Sequence, residues 1–215
     1  MTAEAVIDKM TSPSLPDPAE ETPPALPDWV IPPPEGYFAE DLDHIPDLPA
    51  HTELIDGSLV FVSPQRHFHH AIIFRLHVQL EDFMPPGHEV VTHMGVKLGP
   101  RQRPEPDLIV VGPKAIIGQE VTYFDAADIV LAVEVVSPES EIRDRERKPT
   151  LYAQAGIPHF WRIEEINGKP AVFVFMLDPG TKSYALVGTF FEQLKLTLPF
   201  DIDIDLTTLY RGRTR

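Results

Sequence analysis

Asp107, Glu134 and Lys148 are the residues of this chain whose types and settings could do chemistry together. Asp107 precedes Leu108-Ile109-Val110-Val111, and Glu134 interrupts Ile129-Val130-Leu131-Ala132-Val133, so both carboxylates stand at or inside runs that read as the interior of a sheet. A lone acid there is costly: unless a cation, a metal or a hydrogen-bond donor meets it, its pKa moves until it neutralises. The expected chemistry is a divalent-metal site of the kind that cleaves phosphodiesters. Each residue also has a plainer reading. Asp107 could cap the turn before a strand, Glu134 could be salt-bridged to Arg143 or Lys148, and Lys148 could be a surface lysine in a charge-rich helix.

With no cysteine among 215 residues, thiolate ligands, disulfides and thiol nucleophiles are excluded, and any metal must be held by oxygen or imidazole. Hard cations such as magnesium suit that donor set. Histidines cluster at His67, His69, His70 and His77; His70 and His77, seven apart, lie on roughly one face, and the reading is of packing or solvated side chains rather than metal ligands. Net charge is -15, the wrong sign for gripping nucleic acid by bulk electrostatics. The first 50 residues hold eleven acids against one base, Lys9, so most of that charge lies away from the proposed site. A basic rim of Arg101, Arg103, Arg143, Arg145, Arg147 and Lys148 flanks the site, and a solvated helix face accounts for it equally well.

The elements that must position these residues follow from pattern. Residues 1–35 are expected to be a disordered, Pro-rich acidic tail, because prolines from Pro13 to the triplet Pro32-Pro33-Pro34 forbid regular pairing and few apolar side chains offset ordering. Residues 36–207 are expected to form a single domain, with residues 208–215 a frayed basic end. A short helical turn is expected around 40–42. Leu54-Ile55, Asp56-Gly57 and Leu59-Val60-Phe61-Val62 spell an N-terminal β-hairpin. Ile72, Ile73, Leu76, Leu80 and Phe83 recur at helical spacing over about 66–83, until Pro85-Pro86-Gly87 stops them.

Strands are expected at 89–98, 107–111, 129–136 and 160–163. Between the last two lies a helical stretch, 140–155, that Gly156 ends. Pro149 conflicts with it, and the resolution expected is a regular helix starting only at Arg145 or Glu146, so that the missing N–H falls in the first turns. Lys148 and Tyr152 then share a face. Antiparallel strands at 171–177, 182–187 and 191–198, with turns at Asp178-Pro179-Gly180 and Val187-Gly188, are expected at the C-terminal end, followed by an acidic edge strand over 201–206. The order gives an α/β fold with a mixed sheet. No apolar run of about 7 to 15 residues follows Lys9 and none of ~20 occurs, so neither a secretory leader nor a membrane span is expected, and the cytoplasm is the expected location.

Glu53-Leu54-Ile55-Asp56-Gly57, Pro104-Glu105-Pro106-Asp107, Val133-Glu134-Val135-Val136-Ser137-Pro138 and the run from Tyr152 to Trp161 resemble, in that order, the Uma-two family of putative restriction endonucleases within the PD-(D/E)xK superfamily. The resemblance covers about residues 37–206. It implies a restriction-endonuclease-like αβββαβ core, DNA as substrate and magnesium or manganese as cofactor. Asp107 matches the motif's first acid and Glu134 its second. Two residues beyond Glu134, where the superfamily carries lysine, stands Val136, and the family's displaced lysine matches Lys148. The roles implied are metal binding by Asp107, Glu134 and the carbonyl of Val135, electrostatic stabilisation by Lys148, and a second metal or a proton taken by Glu53. Tyr152 could hydrogen-bond Lys148 or a phosphate. A homodimer would be the simplest way to cut both strands. The alternative is a catalytically silent nuclease-fold domain serving as an acidic protein-interaction module, which the net charge favours and the intact acid–acid–lysine set opposes.

Overall fold

The computed structural model describes residues 26–210 other than 116, 117 and 119. Most of the expected tail and the basic end from Arg211 onward lie outside the described residues. Asp28–Val30 makes one 3-10 turn in a unit of its own, and the residues from Pro32 onward belong to a second unit that carries everything below. Ala39–Asp43 forms the short helical turn expected there, with the Asp41 carboxylate accepting the Phe38 N–H.

The hairpin forms as its sequence requires. β1 (Thr52–Ile55) pairs with β2 (Ser58–Phe61) across Asp56 and Gly57, both left-handed at φ 55° and 76°, the conformation an Asp-Gly turn favours. α1 (His67–Glu81) follows and buries one stripe, His69, Ile72, Ile73, Leu76 and Leu80. The single strand expected over 89–98 is two: β3 (Glu89–Thr92) and β4 (Gly95–Lys97), because the chain turns at His93 with φ 54°. β5 (Leu108–Val111) is buried throughout, β6 (Tyr123–Asp125) pairs in parallel with β4, and β7 (Ile129–Val135) is buried at every residue but Val130.

The helix between β7 and the next strand starts earlier than Pro149 suggests. Its helical backbone begins at Glu141, passes through a π turn at Arg143–Arg147, and continues as α2 (Lys148–Ala155). Proline has no N–H and its ring collides with the carbonyl four residues back; widening the preceding turn, with the Lys148 N–H bonded to the Arg143 carbonyl five back, relieves both problems without ending the helix. Gly156 at φ 89° closes it, as expected.

β8 (His159–Ile166), β9 (Lys169–Asp178) and β10 (Ser183–Phe190) complete a six-stranded mixed sheet in the order β10-β9-β8-β7-β5-β3. Within this sheet, among the described residues, β7 and β8 are the one parallel pair, joined by the α2 crossover. Val187-Gly188 is not a turn but a bulge inside β10, where Leu186 and Gly188 pair with Phe175 and Val174 in succession. β11 (Gln193–Leu196) pairs with β12 (Ile202–Asp205), and α3 (Thr207–Tyr210) buries Leu209. The sequence α1, β3, β5, β7, α2, β8 is the αβββαβ order, with β4 and β6 as a short satellite pair.

Alternation along the strands divides the core in two. Leu108 and Val110 of β5, with Leu131, Val133 and Val135 of β7, pack with α1 on one face. Ile109, Val111 and Ala132 pack with Tyr152 and Ile157 on the other. Glu134 is therefore directed toward α2. The antiparallel register Leu108↔Val133 and Ile109↔Ala132, continued by one residue, brings Asp107 beside it.

Candidate metal centre

Four carboxylates and one ammonium meet where β1, β5, β7 and α2 converge. The Lys148 Nζ lies 2.8 Å from Glu53 Oε1, 3.0 Å from Glu134 Oε2 and 3.5 Å from Asp144 Oδ1. These groups are almost wholly buried, Glu53 at 2%, Glu134 at 1%, Asp144 at 2% and Lys148 at 5% exposure. The π turn therefore does not rotate Lys148 away from the second acid: its ammonium reaches Glu134 although it arrives from a different element, 14 residues later. Tyr152, one helical turn on, donates its O–H to Glu134 Oε1 at 2.5 Å. Glu53 Oε1 also accepts the Glu105 N–H at 2.9 Å, fixing the hairpin to the segment before β5.

Asp107 sits at the solvent end of the centre, its side chain 15% exposed. Its Oδ2 accepts the Val135 N–H at 2.7 Å and its Oδ1 lies 3.2 Å from His69 Nε2. An open cleft of about 230 Å³ is lined by Arg66, His69, Val136, Ser137 and Arg145 among others, so that His69 belongs both to the cleft and to the pair with Asp107.

The electrostatics distinguish the acids. Burial holds the Glu134 carboxyl well above its ordinary range; Lys148 opposes that shift, while the charges of Asp144, Asp107 and Glu53 add to it. Burial likewise raises Asp144 against the pull of Lys148 and the Ser140 hydroxyl. For Asp107 burial is outweighed by the hydrogen bond and charge of His69, by Lys148 and by the Val135 N–H, and its carboxyl is lowered. Burial works against the Lys148 charge too, but Glu134, Glu53, Asp144 and Asp107 outweigh it and keep the ammonium protonated. The centre thus holds more acid than one lysine can balance, and the buried Asp144 Oδ1 has no hydrogen-bond donor among the described residues. An all-oxygen donor set with surplus negative charge suits a hard divalent cation.

Asp107, Glu134, Lys148, Glu53 and Tyr152, all singled out from sequence, are brought together, and Val135 contributes the N–H that Asp107 accepts. Asp144 and His69 were missed. Both carried a signal: Asp144, Lys148 and Tyr152 are four apart, one helical stripe, and His69 is in phase with Ile72, Ile73 and Leu76. The basic rim is largely spent on the chain's own acids. Arg103 is bidentate to Asp43, Arg145 pairs with Glu141 and Glu164, and Arg147 pairs with Asp56.

A crystal structure of a putative nuclease belonging to DUF820 from Anabaena variabilis is similar at TM-score 0.60 and 15% identity, covering 80% of this chain and 96% of that one, which is a likeness of fold. No curated protein matches the chain. Among the described residues no helix is long and apolar enough to cross a membrane. Residues 39–208 match the model of the family Uma2, putative restriction endonuclease, and this chain belongs to that family.

Proposed function

We propose that the buried acid–lysine cluster is the catalytic centre of a magnesium-dependent endonuclease that hydrolyses phosphodiester bonds of DNA, manganese being able to replace magnesium. The observation that carries this reading is the Lys148 ammonium within 3.5 Å of Glu53, Glu134 and Asp144, with Asp107 at the mouth of the same cluster. Asp107 and Glu134 would hold the ion, with the Val135 carbonyl as a further donor. A bound divalent ion would supply a lowered pKa for a water and charge compensation on the phosphate. Lys148 places a fixed positive charge where negative charge develops, without reorganising at the moment of reaction. Glu53 and Tyr152 hold Lys148 and Glu134 in place. Glu53 is also the acid best positioned, against Lys148, to take a proton or serve a second ion.

His69 steadies the solvent-facing acid. The chain would act in the cytoplasm, as a homodimer where both strands of a duplex are cut. One observation favours the silent-module reading instead: the net charge of -15, with the rim arginines occupied by internal acids, leaves little positive surface for a polyanion. Nicking of supercoiled plasmid in magnesium separates the two. Cleavage by the parent chain that is lost in Asp107→Asn and in chelator supports the nuclease; equal activity in parent and variant would mark a contaminant and overturn it.

A further inference from the structure

We propose that His51, His93 and Glu105 form a second metal site, for a transition-metal dication such as zinc or cobalt, at the surface beside the carboxylate–lysine cluster. His51 Nδ1 lies 2.5 Å and His93 Nδ1 3.9 Å from the same oxygen, Glu105 Oε1. All three donor atoms fall within 4.8 Å of one another, the one group of three His, Cys, Asp or Glu side chains so gathered among the described residues. A tetrahedral ion with bonds of about 2.0–2.1 Å separates its ligand atoms by roughly 3.3–3.4 Å. His51 and Glu105 would thus part by less than about 1 Å and His93 approach by about 0.5 Å, movements within side-chain rotation.

Three features distinguish this cluster from a chance histidine–carboxylate hydrogen bond. Its donors come from three separate segments, ahead of β1, between β3 and β4, and ahead of β5. The segments at β1 and before β5 are tied by backbone hydrogen bonds between Leu54 and Arg103, and the Val96 N–H of β4 bonds the Pro104 carbonyl, so the frame is built before any ion arrives. Both histidines have left-handed backbone, φ 59° and 54°, a conformation unfavourable to a non-glycine residue and sustained only where surroundings demand it. The rings meet edge to face at 5.4 Å, with each Nδ1 on the Glu105 side.

Donor chemistry separates the two sites. Two imidazole nitrogens and one carboxylate favour zinc, cobalt or manganese over magnesium, the reverse of the all-oxygen cluster. Three ligands also leave a coordination position open to water or an anionic oxygen. The Glu105 N–H bonds Glu53, so the two sites are neighbours, yet the second stands whether or not the first cleaves DNA.

The test is titration of the full chain with cobalt in excess magnesium, read by visible ligand-field absorption and reversed by zinc. The expected result is saturation at a single equivalent, an affinity at least about 100-fold weaker in His51→Ala and in His93→Ala, and no change in Glu134→Gln. His51 is 55% exposed, so its variant keeps the fold, which circular dichroism checks. Absence of cobalt bands in the parent, or bands that persist in the His51→Ala/His93→Ala double variant, would overturn the site. Loss of the bands in Glu134→Gln alone would place the ion in the carboxylate cluster, overturning this site while leaving the nuclease reading intact.

Discussion

β12 and β7 both set acids among apolar residues, with opposite results. In β12 the period is two and in register with the surface: Ile202 and Ile204 are buried, Asp203 and Asp205 face solvent, and Lys195 across the strand pair meets Asp203 at 3.0 Å. In β7 Glu134 breaks a run in which almost every neighbour is buried, and it is buried with them. An acid on the solvent side needs no partner and gains little from one. An acid at a core position must be compensated, and here the compensation is a lysine delivered from another element and a tyrosine hydroxyl, while the further acids gathered there leave a demand for more positive charge. The same residue type is a surface in one strand and a site in the other.

Removing the compensation should break the comparison most sharply. Lys148→Met leaves Glu53, Glu134 and Asp144 buried without their cation, and the metal-free protein should lose about 3–5 kcal/mol by urea unfolding. In magnesium the same variant should cleave at least about 100-fold more slowly while its ion affinity holds or rises, since a competing positive charge is gone. A variant as active as the parent would remove Lys148 from the chemistry.

Asp107→Ala comes next. Asp107 accepts the Val135 N–H and meets His69, so it is tied into the fold as well as into the cluster. Its loss should cost about 1–3 kcal/mol, with Asp107→Asn costing less by keeping an acceptor, while both abolish cleavage.

The pH dependence of stability sharpens the contrast further. Folding raises the Glu134 carboxyl above its ordinary 4.5, so the folded chain binds more protons than the unfolded one. Its contribution therefore becomes less favourable as pH rises from about 4.5 through the raised value. Asp107 has the opposite sign: its contribution is present above the ordinary 3.8 and is lost as pH falls through its lowered value. The stability of Glu134→Gln relative to the parent should therefore increase between mildly acid and neutral pH in chelator, and magnesium should diminish the difference. Denaturant midpoints at several pH values would show it, and a pH-independent difference would contradict it. The smallest effect belongs to β12, where Asp203→Asn should leave the denaturant midpoint essentially unchanged at each of these pH values, because an exposed ion pair is screened by solvent.

How much of this was legible depended on the range of the interaction. The hairpin, α1, β5 and β7 are written in local period and turn chemistry, and Glu134 was conspicuous because it violated that period. Asp144 was less so: its four-residue spacing from Lys148 is a signal, but it stands in a run of alternating charges, Arg143 to Arg147, that reads equally well as a solvated helix face. The π turn that places it is a response to Pro149, and sequence pattern anticipates the conflict but not how it is resolved. The break between β3 and β4 was illegible for a related reason: the turn is made by His93, with neither glycine nor proline at the left-handed position. His51 and Glu105 are 54 residues apart and meet only through tertiary pairing.

Calorimetric titration of magnesium into the chelator-treated full chain, beside Glu134→Gln, tests the central claim most directly. The account predicts a binding isotherm in the parent, with proton release growing as pH falls toward the raised Glu134 value, and its disappearance in the variant. Magnesium binding of equal strength in both would contradict the assignment of the buried acids as the metal centre.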